Sequence, residues 1–462
     1  MIGRLFSKLW RALNLTRIII LNILFFLLLA LFIAGLFSGD EDEIVIPNNS
    51  ALLLNIQGQL VEQKQKINPM DAFVAEAMEQ PEDNPEVLLS DVIFAIKEAK
   101  ADERISLLVL QLGRLQNSGL SKLQDVAKAI EDFKTSGKQV IAIGDQYSQS
   151  QYYLASYADD IWINPKGWLL FEGFNSYPLY FKSALEKLSI NQHIFRVGTF
   201  KSAVEPFMRD DMSPEAKQAN LLWLNDLWQQ YKTDVAAQRG MDISNFDEKA
   251  ETLITKLTKA NGNMAEYAKL YDWVDELKTR QEMTSALIEL VGKNDKDSFN
   301  KVNFKAYLKA QKSPIAFDNP KTDKVAIIVA KGNILNGTQK PGTIGGTSTA
   351  KLLKQARLDD NVKAVVLRVD SPGGSAFASE VIRQEVEQLK MAGKPVVASM
   401  GTYAASGGYW ISASANKIIA SPSTITGSIG IFGLMMTFEE SRAKVGIYSD
   451  GVGTTDIGGF GV

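Results

Sequence analysis

A chain of 462 residues with one histidine, His193, no cysteine and a formal net charge of -3 is chemically bounded before any motif is read. The length calls for two or more domains, each burying a core. The lack of thiols removes cysteine nucleophiles and Cys/His zinc sites, and the slight acidity argues against a nucleic-acid partner. A Ser-His-Asp triad could be built only around His193, and only carboxylate sites stay open to metals, without positive support for any.

The first element is apolar. Ile18 to Phe37 reads IIILNILFFLLLALFIAGLF, with Asn22 its only strongly polar side chain, and about twenty such residues span a hydrocarbon core as helix. Arg4, Lys8, Arg11 and Arg17 precede it, and Asp40, Glu41, Asp42 and Glu43 follow. The positive-inside rule then leaves residues 1–17 in the cytoplasm and the bulk of the protein outside. A cleavable signal peptide is the competing reading. The length of the run and the lack of a small-x-small pattern at Leu36 and Phe37 favour an uncleaved anchor at 18–37. A chain without thiols also suits an oxidising compartment.

The remainder repeats itself. ALLLNIQGQL (51–60) resembles VAIIVAKGNI (325–334), with Gly58 and Gly332 placed alike. DERISLLVLQL (102–112) reads like DDNVKAVVLRV (359–369), SGKQVIAIGDQYSQS (136–150) like AGKPVVASMGTYAAS (392–406), and DDIWINP (159–165) like NKIIASP (416–422). VGTFKS (197–202) falls where VGTTDI (452–457) falls. The expected layout is a first copy at 47–312, a Pro-containing linker at 313–324 and a second copy at 325–462.

Each copy alternates strands and helices, which implies an α/β unit with a mostly parallel sheet. Residues 85–100 place Leu88, Leu89, Val92, Ile93 and Ile96 at helical spacing, and 105–112 is a nearly continuous apolar run of buried-strand type. Between Lys201 and Lys312 the first copy adds helices. One has Ser213 as cap, Pro214 at the first position and Gly240 after the last turn. The aromatic residues of LLWLNDLWQQY (221–231) read as core or subunit interface, and His193, between helix and strand, as structural. The second copy lacks a counterpart of the added helices.

Where chemistry is expected, the copies have diverged in a complementary way. VDSPGGSA (369–376) puts Gly373 and Gly374 after a buried strand, where backbone N–H groups can face a ligand; the first copy reads LGRLQNSG. Ser406 is followed by Gly407 and Gly408, whereas Ser150 is followed by Gln151 and Tyr152. Conversely, Lys201 of the first copy is matched by Asp456. A buried Lys201, its pKa lowered by lost solvation, could take the proton of Ser406. The N–H groups of Gly373, Gly374 and Gly407 are candidates for an oxyanion hole, and the Ser428 hydroxyl for orienting the lysine.

Taken in order after an N-terminal anchor, GTFKSAVEPF, VDSPGGS, YAASGGYWIS and TGSIGIFG resemble the signal peptide peptidase A family in its long, duplicated bacterial form. The resemblance implies tandem Clp peptidase/crotonase-like α/β repeats after a transmembrane helix. It also implies a membrane-anchored serine endopeptidase, without cofactor or metal, that degrades signal-peptide remnants as a homotetramer at the bacterial inner membrane, its catalytic part extracytoplasmic. The family's nucleophile falls on Ser406, its general base on Lys201, the base-orienting hydroxyl on Ser428 and the oxyanion glycines on Gly373 and Gly407. The long form continues beyond Val462, so a shortened second repeat is expected. Two other classes remain open: an inactive membrane-anchored scaffold, because of that shortening, and a crotonase-like thioester enzyme, which would share the oxyanion glycines but needs no serine-lysine pair.

Overall fold

The structure, a computed structural model, describes residues 2–37, 44–66, 85–312, 322–455 and 457–458. It divides into two compact units, Met1–Val45 and Ile46–Val462. The first holds helix α1 (Ile2–Phe37), in which Leu13–Ala30 is long and apolar enough to cross a membrane.

In the second unit, the apolar runs become parallel strands joined by crossover helices. The first copy supplies β1 (Ser50–Leu54), α2 (Leu89–Ala101), β2 (Ile105–Leu110), α3 (Leu120–Lys134), β3 (Gln139–Gly144) and β4 (Asp160–Ile163). It continues with β5 (Asn191–Val197), α4 (Pro214–Arg239), β6 (Glu276–Leu277), α5 (Arg280–Val291) and β7 (Lys301–Asn303). A six-stranded sheet runs β7-β1-β2-β3-β4-β6 with every pair parallel. One face carries Leu52, Leu108 and Val140 against Val92 and Ile96 of α2 and Val126 and Ile130 of α3. The other carries Leu53, Val109 and Ile141 against Met283 and Leu287 of α5. Burial on both faces is why ISLLVL is apolar without alternation apart from Ser106, and each fully buried apolar side chain contributes roughly 1.5–3 kcal/mol.

The second copy supplies β8 (Lys324–Lys331), α6 (Gly346–Leu358), β9 (Val362–Ser371), α7 (Ala376–Met391), β10 (Val396–Ala404), α8 (Gly407–Ala413), β11 (Lys417–Ile419) and β12 (Ile431–Thr437). Its sheet runs β8-β9-β10-β11, the order of β1-β2-β3-β4. The registers agree: Leu53, Val109, Ile141 and Asp160 stand abreast in one sheet, and Ile327, Val366, Val397 and Lys417 in the other. Here one face packs on Ile382 and Val386 of α7, while Val325 and Ile327 on the other are exposed.

Local signals account for much of this. Ser213 accepts from the Ala216 N–H, Pro214 opens α4, and Gly240 closes it in the left-handed region at φ 63°. Helix α2 starts at Leu89, because Glu86–Leu88 pairs as a short strand instead. Most of the expected linker, 313–321, and Asp456 lie outside the described residues.

The copies are joined by an antiparallel pair. β5 of the first lies on β12 of the second, from Val197 opposite Ile431 to Asn191 opposite Thr437.

Candidate active site

Strand β10 ends at Ala404, and two residues later Ser406 takes φ 51° and ψ -118°, strained for a side chain with a Cβ. Its N–H donates to the Gly427 carbonyl at 2.8 Å, and the Gly408 N–H to the Ala405 carbonyl at 2.8 Å. The chain thus turns sharply from strand into α8, exposing the serine side chain at the turn's apex. Glycine is required behind it: a Cβ on Gly408 would lie 2.5 Å from the Ser371 carbonyl oxygen.

The β5–β12 pair delivers the lysine. Past its end, the turn Gly198–Lys201 meets the loop 428–430 so closely that a Cβ on Gly430 would stand 2.1 Å from the Val197 carbonyl oxygen. Lys201 is 3% exposed. Its Nζ lies 2.9 Å from Ser406 Oγ, 2.8 Å from the Ser428 carbonyl and 3.1 Å from Ser428 Oγ. Ser428 presents both oxygens from a left-handed backbone at φ 51°. No carboxylate pairs with Lys201 among the described residues, and burial alone pushes its pKa below the ordinary lysine value.

The glycine loop is placed differently from the sequence expectation in one respect. Gly373, at φ 103°, sits against Ser406, where a Cβ would be 2.8 Å from Ser406 Cβ. Its N–H, however, donates to Ser371 Oγ at 3.1 Å inside its own turn, and Ser371 Oγ donates onward to the Gly332 carbonyl at 2.7 Å. Among the described residues no protein acceptor engages the N–H of Gly374 or Gly407, so these two are the open donors next to the serine. Ser371 is the residue sequence reasoning passed over. Its place inside VDSPGG was the available signal.

His193 stands in β5 opposite Met435 and faces Thr437 Oγ1 at 3.5 Å, so it is no part of this cluster. The described residues hold no group of acidic or histidine side chains fit for a metal. A cavity of about 630 Å³ at the carboxyl ends of β1, β2 and β3, lined in part by Arg114, Asp145, Arg280 and Lys301, contains none of the predicted site residues.

One further cluster borders the site. Lys122, in the first turn of α3, reaches from the first copy to Asp370 Oδ2 at 2.6 Å, both side chains being buried.

An amine, an alcohol and two open N–H donors gathered around one turn form an acyl-transfer constellation. The model of peptidase family S49 matches residues 132–292 and 388–457, the segments that carry Lys201, Ser406, Gly407 and Ser428. The chain belongs to peptidase family S49. It is therefore a serine peptidase, a hydrolase of peptide bonds. This S49 peptidase is 42% identical over 460 residues to Protease 4 of Salmonella typhi, covering 99% of the chain and 73% of that protein. It is 41% identical over 451 residues to Protease 4 of Haemophilus influenzae, covering 97% and 73%. Over 356 residues it is 28% identical to the chloroplastic serine protease SPPA of Arabidopsis thaliana, covering 76% and 50%.

Proposed function

We propose that this S49 peptidase cleaves peptide bonds with Ser406 as nucleophile and Lys201 as general base, acting on signal-peptide remnants at the membrane. The observation that carries the reading is the 2.9 Å approach of a buried, carboxylate-free amine to a serine hydroxyl on a strained turn. A neutral amine has two N–H donors and one lone pair. The donors are taken up by Ser428 O and Oγ, so the lone pair is left for the Ser406 proton. The alkoxide then attacks the scissile carbonyl while the Gly407 and Gly374 N–H groups receive the oxyanion. Gly373 adds a third donor only where its N–H leaves Ser371. The ammonium returns the proton to the departing amine, and water repeats the sequence on the acyl-enzyme.

Residues 18–37 serve as the anchor, with the catalytic unit on the extracytoplasmic side. The order of basic residues before the segment and acidic ones after it supports this side. Apolar substrates are consistent with the exposed Phe195, Ile431 and Phe432 on the β5–β12 pair next to the dyad. The same surface suits subunit contacts in a homotetramer, which light scattering of detergent-solubilised protein would measure.

The deciding experiment is covalent. A fluorophosphonate probe should label Ser406 in the wild-type protein. Lys201→Ala and Lys201→Arg should label at least about a hundred-fold more slowly, since a general base supplies rate factors of that order and a guanidinium does not deprotonate. Equal labelling in the three proteins would remove Lys201 from the mechanism, and a folded wild type that never labels would remove Ser406 as the nucleophile.

A further inference from the structure

We infer that Lys122 is a positioning residue for catalysis: a second lysine donated by the first copy, which fixes the glycine loop and the serine strand of the second copy in one mutual register. The inference rests on the serine-lysine reading above.

The strands that carry the two loops do not stay in step. Val369 of β9 stands opposite Met400 of β10, but two residues on, Ser371 stands opposite Ala404. β9 has advanced by two residues while β10 has advanced by four, a bulge that re-aims the end of β10 towards Ser406. The bulge breaks the ladder, and Asp370 supplies a substitute bond, its Oδ1 accepting the Tyr403 N–H at 3.1 Å. A buried carboxylate needs a counter-charge, which Lys122 provides at 2.6 Å on Oδ2. The same Nζ donates to Thr402 Oγ1 at 2.8 Å, and Ser121 Oγ lies 2.9 Å from that hydroxyl.

One ammonium therefore grips both sides of the bulge. Asp370 precedes Gly373 by three residues and Thr402 precedes Ser406 by four. From Thr402 the chain of bonds continues towards the lysine-orienting loop: the Ile425 N–H donates to the Thr402 carbonyl, and the Ala404 N–H to the Ile425 carbonyl, each at 2.9 Å. Contact between the copies is tight here, since a Cβ on Gly119 would meet Thr402 Cγ2 at 2.4 Å. Lys122 Nζ bonds to neither Ser406 nor Lys201, so it moves no proton. It acts on where the oxyanion donors stand relative to the alcohol.

A buried ion pair can equally be a plain structural element, and the test separates the two. Lys122→Met alone leaves Asp370 buried and unpaired, so both melting temperature and activity should fall. Lys122→Met with Asp370→Asn removes both charges while keeping an acceptor for Tyr403, and should regain most of the melting temperature. Its fluorophosphonate labelling of Ser406 should still be at least about ten-fold slower than wild type, as expected when reacting groups are displaced by a fraction of an ångström to an ångström. The pH midpoint should be unchanged. Recovery of the rate to within about two-fold would overturn the proposal, and so would a shifted midpoint, which would make Lys122 a tuner of the Lys201 charge. Should the double variant not fold, Thr402→Val decides, because it keeps the ion pair and the volume. Labelling several-fold slower at an unchanged midpoint is expected, and a wild-type rate overturns the role. Failure of the serine-lysine reading itself looks different: wild-type Ser406 would not label, or would label as fast in Lys201→Ala.

Discussion

An ammonium removed from water without a carboxylate beside it gives up its proton more readily than a solvated one, and Lys201 is in that position. Burial lowers its pKa in the folded protein below the ordinary lysine value. Below the lowered pKa, folding carries the cost of a desolvated charge. As pH rises between the lowered and the ordinary value, the unfolded chain binds more protons than the folded one and stability increases. The neutral amine appears over the lower part of the same window. Labelling of Ser406 is therefore expected to rise with pH through a midpoint below that of a free lysine, and a profile flat from mildly acidic to alkaline pH would contradict it. Ser428→Ala should be milder than Lys201→Ala, since the backbone carbonyl at 2.8 Å remains. Loss of one hydrogen bond of about 1–1.5 kcal/mol predicts a fall of roughly ten-fold in kcat.

At the scale of elements, the β5–β12 pair decides whether amine and alcohol meet. Gly430 permits the crossing, with φ 128° and no room for a Cβ beside Val197. Gly430→Ala should lower stability by about 1–3 kcal/mol and cut labelling severely. Gly433→Ala, on the same strand but with nothing within 4 Å of its Cβ, should stay within about 0.5 kcal/mol of wild type. Thermal melts alongside labelling rates would show the contrast.

The same pair marks where reading the sequence stops. Buried parallel strands announce themselves through nearly continuous apolar runs such as ISLLVL and VIAIG, and the cap at Ser213 through its proline and glycine partners, so the sheets and α4 were legible. Nothing in NQHIFRV or IFGLMMT says that they pair with each other, because that contact joins different copies and has no local signature. Ser406, with its following glycines, and Lys201 could be singled out by comparing the copies, while Ser428 was read only as a nearby hydroxyl able to orient a lysine. The capture of the Gly373 N–H by Ser371 could not, since it depends on a rotamer within one turn. Lys122 was hidden for a related reason: a lysine on an amphipathic helix reads as solvated until the bulge it faces is known.

For the whole molecule, the two copies are tied by more than the Lys201–Ser406 contact. Arg368 of β9 meets Glu62 at 2.8 Å and Lys331 of β8 meets Glu86 at 2.5 Å, each pairing second copy with first across a mostly buried junction. The catalytic unit should therefore unfold in one transition followed equally by fluorescence and by circular dichroism. Helix α1 belongs to the other compact unit. Deleting residues 1–37 should release the protein from membranes in carbonate extraction, and the probe should still react with Ser406. An undeleted chain recovered in the soluble fraction would refute the anchor. Lys201 and Ser406 are 205 positions apart in the chain. While it is being synthesised, the polypeptide on the proposed mechanism thus holds a base with nothing to activate. On that mechanism, hydrolytic power arrives only after Ser428 has emerged and the late strand has closed on the early one, which delays the protease's first cut until its own folding is nearly done.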